Sequence, residues 1–394
     1  MTAIRTVDST PATPLVLYMA LELSECDWKL AFTTGMAQKP RLVTITARST
    51  DGLELAMARA KKRFGLPADT PVVSCYEAGR DGFWIHRHLI QEGVSNIVVD
   101  SASIEVNRRK RRAKTDRLDA TKLVTMLIRW QNGEAKVWSV VEVPSPEDED
   151  ARQPHRELIG LKQERTKLSN RIVGLMKSLG MILPVDLRLP HRLDGLRQPN
   201  GLPVLPDLRA RIRRLFDRWK LVNTQIRELE AELRNRVRDD ATKNVESIRC
   251  LLGLKGVGVQ GAWLLVREFF GWRRFRNRRQ LGGLSGLAGS HYSSGDTKRE
   301  QGISKAGNGR LRWMMVQLAW SWTRYQPESA LSRWYERRFA HGSPQLRKVG
   351  IVALARKLLV AFWKYLELGE APDGAVTVPW RQKLSAAARS SAAC

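Results

Sequence analysis

The sequence predicts an α/β domain built on a mixed sheet, followed by a coiled-coil region and an all-α region. Three observations carry this reading. Over 15–140, apolar runs of strand length alternate with helical patterns. From 155 onward, apolar residues recur at three- and four-residue spacing. Between the two lies VPSPEDEDARQP (143–154), a Pro-rich acidic stretch that reads as a linker.

The first 14 residues, MTAIRTVDSTPATP, are polar and Pro/Thr-rich, which predicts a disordered N-terminus without a signal core. LVLYMALEL (15–23), WKLAFTT (28–34) and RLVTITA (41–47) are strands joined by turn residues. A helical pattern at 51–65 precedes the buried strand PVVSCYE (71–77). Then come a helix near 82–92, the strand NIVVD (96–100) and a helix from about Lys114 to Trp130. Short strand connections followed by strand–helix–strand–helix give a mixed-sheet domain over 15–142.

In the region 155–243, Leu161, Leu168, Ile172, Leu175 and Leu179 are followed, after a Pro- and Gly-bearing interruption at 184–206, by a stricter series. Ile212, Leu215, Trp219, Val222, Ile226, Leu229 and Leu233 alternate by three and four. That is a coiled-coil seam, expected as two antiparallel arms joined at a tip; two amphipathic helices folded onto a globular core is the competing reading. Residues 244–370 read as helices with glycine-rich connectors, and 371–394 as a small, polar, disordered tail.

A formal net charge of +27 far exceeds what solubility needs and points to a nucleic-acid partner. No stretch approaches the ~18–20 apolar residues of a membrane span, so a cytoplasmic protein is expected. Cys26, Cys75, Cys250 and Cys394 form no C-x-x-C pair and read as reduced thiols.

The densest positive run is NRRKRRAKTDRLDATKL, holding Arg108, Arg109, Lys110, Arg111, Arg112 and Lys114. Asp116 and Asp119 follow at i and i+3, on one face of a helix, where a solvated face is the plain alternative. Two further acids change that balance. Glu22 interrupts the apolar strand YMALELS, where a buried carboxylate needs a partner, and Glu77 ends the strand SCYE. Four clustered acids are stable if they share protons or bind cations, and their hard oxygens suit Mg²⁺ or Mn²⁺.

A second segment, GLAGSHYSSGDTKREQGISKAGNGRLR (286–312), places Ser293 and Ser294 before Gly295 in a polar turn. Lys298, Arg299, Lys305, Arg310 and Arg312 lie nearby in sequence. A hydroxyl beside cations can attack a phosphate, though Ser-Gly is also ordinary turn chemistry. Third, LLGLKGVGVQGAWLL (251–265), which contains Lys255, reads as a helix–glycine turn–helix able to meet a DNA phosphate, or as a tight helical corner. In the following GWRRFRNRRQ, Arg273, Arg274, Arg276, Arg278 and Arg279 with Trp272 and Phe275 suit backbone contact and base stacking. His86 and His88, at i and i+2, point apart on a helix and read as surface or packing residues, and the tryptophans of RWMMVQLAWSW as core.

ALELS, YEAGRDGFW, VVDSAS with RRAKTDRLDA, and later GLKGVG, GGLSGLAG and SSGDTKREQGISKAGNGRLR occur in an order and spacing that resembles the DEDD-type transposases of bacterial insertion sequences, recombinases guided by a bridge RNA. The resemblance runs from about 16 to 368. It implies an RNase H-like (RuvC-like) first domain, a coiled-coil insertion and a C-terminal helical domain with a serine nucleophile. Carried over, the acidic tetrad is Glu22, Glu77, Asp116 and Asp119, with glutamate where aspartate is usual, and the nucleophile is Ser294, with Ser293 and Ser304 as alternatives. It further implies a phosphoserine intermediate, DNA and guide-RNA partners, and dimers to tetramers whose composite site draws on different protomers. A RuvC-like nuclease or junction resolvase, in which water attacks, and a catalytically inactive nucleic-acid-binding protein are the competing readings.

Overall fold

Strands β1 (Leu17–Leu23), β2 (Asp27–Thr33) and β3 (Arg41–Thr46) form an antiparallel meander in a computed structural model that describes residues 15–104, 116–134, 136–294, 297–305 and 307–393. Helix α1 (Thr50–Arg63) leads to β4 (Val72–Glu77), α2 (Trp84–Gln91) to β5 (Ser95–Val99), and the unit closes with α3 (Asp116–Gln131). The sheet order is β3-β2-β1-β4-β5, with β4 parallel to β1 and β5 parallel to β4. This is the mixed sheet the apolar runs predict.

Strand β1 lacks a polar face because both its faces are covered. Leu17, Met19 and Leu21 join Leu53, Met57, Ile85 and Leu89 of α1 and α2 in one core layer. Ala20, Ala31, Cys75 and Val99 join Ala120, Leu123, Val124 and Leu127 of α3 in the other. Each β1 side chain therefore belongs to one layer by parity.

The chain divides into two compact units between Val143 and Pro144. In the second, α4 (Pro146–Asp150) begins at the Ser145 cap, within the stretch expected as a linker. After it come α5 (Gln153–Lys177), α6 (Leu189–Asp194) and α7 (Pro206–Asp239). Lys162 pairs with Glu230 at 2.6 Å, Arg165 donates to Asn223 at 3.2 Å, and the Trp219 indole donates to Ser169 at 3.0 Å. As one number rises the other falls, so α5 and α7 run antiparallel. Their buried residues do not stand apart: Leu168, Ile172, Trp219 and Ile226 share one cluster with Trp263, Met315 and Leu358. The two arms pack mainly on each other, and their shared buried face runs on into the core of the helical unit.

Next come α8 (Lys243–Leu252), then α9 (Val259–Leu265) running on into a π-helical turn (Val266–Phe270), and α10 (Arg278–Ser285). The region expected to be all helix then breaks into a hairpin, β6 (Gly289–Ser294) and β7 (Thr297–Ile303). It continues with α11 (Gly309–Tyr325), α12 (Ala330–Tyr335) and α13 (Pro344–Leu368). The tail corrects another expectation. Backbone N–H of Lys255 donates to Val376 and that of Val378 to Gly253, and α14 (Trp380–Ala393) follows with Leu384 buried. No helix among the described residues is long and apolar enough to cross a membrane.

Candidate active site

Register places the first two acids. Leu21 of β1 is level with Tyr76 of β4, so the next residues, Glu22 and Glu77, stand side by side at the carboxyl ends of adjacent parallel strands. Parity puts both on the face of Ala20 and Cys75, the face that α3 covers. Outward of the carboxyl ends of parallel strands is where open α/β sheets place ligands. On β2, Lys29 is opposite Glu22, and its ammonium donates to Thr44 at 2.9 Å.

Helix α3, which covers this face, carries the other two acids in its first turn. The Cys75 thiol donates to the carbonyl of Leu123 at 3.8 Å, fixing α3 over β4, and burial pushes that thiol far above its ordinary range. Asp119 lies one turn before Leu123. Its Oδ2 is sealed from solvent and has no hydrogen-bond partner among the described residues. Glu22 Oε2 is likewise sealed. Asp116 opens α3, and its side chain lies outside the described residues. Among the described side chains, no three His, Cys, Asp or Glu are gathered closely enough to hold a metal ion. The basic run Arg108 to Lys114 lies outside the described residues.

In the helical unit, Ser294 is the last residue of β6, paired with Thr297, and Ser293 pairs with Lys298. The side chains of Ser293, Ser294 and Lys298 lie outside the described residues, and backbone hydrogen bonds close the base of their hairpin. Ser304 N–H donates to Ala288 at 2.9 Å, Lys305 to Gly286 at 3.2 Å and Asn308 to Leu284 at 3.3 Å. Gly307 makes that closure possible: its φ is +72°, and a Cβ there would fall 2.0 Å from the Leu284 carbonyl oxygen. Asn308 then caps α11 by accepting from Arg310 and Leu311 N–H. Ser304, Lys305 and Arg310 are exposed, and Arg312 is half-buried.

The glycine turn between α8 and α9 is a tight corner. Gly256, at φ +91°, lets α11 approach until a Cβ would be 3.2 Å from Tyr325, and Ser321 donates to its carbonyl at 2.6 Å. Two residues without a local sequence signal hold this turn. Buried Gln326 donates to the carbonyls of Lys255 and Val376, and Lys383 of α14 reaches those of Leu254 and Val257. Burial lowers the Lys383 ammonium to about 8. The Lys255 side chain itself is exposed.

Arg274, Arg276, Arg278 and Arg279 are exposed, as nucleic-acid contact requires. The aromatics beside them, both half-buried, are engaged within the protein. Trp272 sits against both Arg152 and Arg273, at 5.3 and 4.1 Å, and Phe275 packs on Phe269 at 4.7 Å. On α11 the reverse holds: Trp322 is buried, but Trp313 and Trp320, expected in the core, are 55% and 45% exposed. His86 Nδ1 meets the Asn96 amide at 2.9 Å and His88 lies 3.7 Å from Glu54, so both act in packing and surface pairing.

Sequence comparisons bear on this arrangement. A family model described as "Transposase IS116/IS110/IS902 family" matches residues 248–334, which contain the glycine turn and the β6–β7 hairpin. "Putative transposase y4rJ" of Sinorhizobium fredii is 39% identical over 373 residues, covering 91% of this chain and 94% of the relative. The transposase for insertion sequence element IS1328 of Yersinia enterocolitica is 31% identical over 177 residues, 45% of this chain and 51% of that protein. A relationship of that depth over nearly the full length settles the family: the chain belongs to the IS116/IS110/IS902 transposases.

Proposed function

We propose that this transposase cuts and rejoins DNA strands by transesterification through a covalent phosphoserine, with an RNA guide choosing the DNA. The observation that carries the reading is the pair Glu22 and Glu77 at neighbouring parallel strand ends, on the sheet face covered by the helix of Asp116 and Asp119. The strand order and this placement of acids support an RNase H-like reading of the first unit.

Glu22, Glu77, Asp116 and Asp119 would hold Mg²⁺ or Mn²⁺, to which an all-oxygen set is suited, and the sealed Oδ2 of Asp119, without a partner among the described residues, fits that role. When bound, such ions supply charge stabilisation to the attacking and leaving oxygens of a phosphodiester. Ser294 Oγ attacks phosphorus and loses its proton; the P–O bond to one DNA strand breaks, and that strand leaves as a hydroxyl. Attack by another strand's hydroxyl reverses the step, restores the serine and leaves no net hydrolysis. Exposed Lys255, Arg274, Arg276, Arg278, Arg279, Lys305 and Arg310, with half-buried Arg273 and Arg312, supply phosphate contacts on the helical unit. Arg108 to Lys114 and Lys298 extend the set by sequence. Guide RNA is read through shape and backbone, and target sequence through base pairing. A homo-oligomer, dimer to tetramer, would combine the acids of one protomer with the serine of another.

The test is to incubate the protein with element-derived RNA, target DNA and Mg²⁺ and to look for a protein–DNA adduct resistant to denaturant. We expect an adduct with wild type and none with Ser294→Ala or Asp119→Asn. Cleaved free ends without an adduct would replace this reading by a nuclease in which water attacks. An adduct that survives Ser294→Ala would move the nucleophile to Ser293 or Ser304.

A further inference from the structure

Four arginines outside the segments discussed above converge between α5 and α7. Arg171 of α5 and Arg211, Arg214 and Arg218 of α7 line a groove of about 390 Å³ together with Gly174, Leu175 and Leu215. Among the described residues, no carboxylate lines it. All four arginines are exposed. Described ion pairs of this helical hairpin involve other residues, among them Lys162 with Glu230, Arg192 with Asp186 and Arg213 with Asp194.

Two independent features say that the groove accepts something. The first is electrostatic. Arg214 and Arg218 are at i and i+4, and Arg211 one turn earlier, so like charges stack on one face, a small cost to the helix that a bound anion would relieve. The second is Gly174, inside the 25-residue helix α5. Glycine there is intrinsically unfavourable relative to alanine. No packing requires it: a Cβ at Gly174 would meet nothing within 4 Å. What the missing side chain leaves is an open floor between the arginines, where a bulky chain can approach the helix backbone.

The spacing suits a phosphodiester strand. At the α-helical rise, Arg211 to Arg218 spans about 10 Å, the axial length over which one strand of a duplex presents about three phosphates. Guanidinium forks grip such oxygens two at a time. We propose that this groove is a second DNA-binding surface, holding the backbone of one strand of double-stranded DNA away from the residues assigned to chemistry. The choice of DNA as occupant rests on the function proposed above; the groove itself is read from charge and shape.

The experiment is a salt titration of duplex DNA binding by the full-length protein, followed by fluorescence anisotropy, with duplex RNA of the same sequence in parallel. Arg214→Gln with Arg218→Gln is compared with Arg192→Gln with Arg213→Gln, which removes the same charge from the same hairpin at sites already neutralised by aspartates. Losing two phosphate contacts should lower the slope of log K against log salt by about 1.8, equivalent to about tenfold in affinity over a fourfold salt range. The control pair should change the slope by well under half of that. Gly174→Gln, which fills the floor without changing charge, should weaken DNA binding while leaving thermal unfolding at or above wild type.

Equal slopes for the groove variant and wild type, or equal losses in both double variants, overturn the groove and leave the proposed function standing. Loss confined to duplex RNA overturns DNA as the occupant. A wild-type protein with no salt-dependent affinity for duplex DNA overturns both the groove and the function on which its occupant rests.

Discussion

His155 offers the sharpest prediction of stability. It lies on α5, 2% exposed, and its Nε2 has no hydrogen-bond partner among the described residues. Burial lowers its imidazole from the ordinary 6.5 to about 4; Glu268 pulls the other way, while Lys162, Arg310 and Arg156 add to the depression. Glu268 is itself committed. Burial alone would raise its carboxyl, but Arg156 donates to both oxygens, at 2.6 and 2.8 Å, and with the charges of Arg152 and Arg310 holds it below the usual range. The folded protein therefore keeps His155 neutral. Because its folded pKa lies below the unfolded one, its contribution to stability is complete above about pH 6.5 and lost as pH falls toward about 4. At 1.36 kcal/mol per pH unit, that window is worth at most about 3 kcal/mol. For a unit of this size the loss equals roughly 6–12 °C in unfolding midpoint. The assay compares wild type with His155→Leu by calorimetry at pH 7 and pH 4, so that acid titration of other groups cancels in the difference. The variant should gain on wild type by up to about 3 kcal/mol on going to pH 4. A constant difference between the two proteins across that range would refute the reasoning.

Three further outcomes follow from the site. On the proposed metal site, Mg²⁺ at a hundredfold excess over Kd should stabilise wild type by about 2.7 kcal/mol and Asp119→Asn should abolish that rise, as read by thermal scans with and without the ion. Gly307→Ala should lower stability by about 2–4 kcal/mol, since the residue takes positive φ and its Cβ would overlap the Leu284 carbonyl, and circular dichroism melts measure this. Lys383→Met should speed amide hydrogen exchange at Leu254 to Gly258, because the carbonyls of Leu254 and Val257 lose their ammonium donor; unchanged protection there would show that α14 does not brace the turn.

How far the sequence discloses the protein depends on whether a signal is local. The strands of the first unit are legible because layers above and below bury them: a run such as LYMALEL has no polar face and is too short for a buried helix. Its one carboxylate, Glu22, stands out for that reason, and Glu77 stands out at the end of VVSCYE. What no local pattern contains is the sheet order that seats β4 beside β1, and only that order makes the two acids neighbours. The hairpin was hidden for the opposite reason. GSHYSS and TKREQGI show no apolar alternation, and the backbone bonds that close the hairpin, from Ser304, Lys305 and Asn308 to Ala288, Gly286 and Leu284, leave no mark in a local pattern. The C-terminal segment misleads in a third way: its small residues read as disorder, yet Ala is the best helix former, and Trp380 and Leu384 at i and i+4 give the helix one anchoring edge. Trp380 shows how that edge is used. Arg249 and Arg381 both lie 4.8 Å from its ring, so one aromatic ties α14 to α8, the helix that leads into the glycine turn, as Lys383 secures the turn itself. A segment that composition alone would discard thus braces the family-defining region from behind.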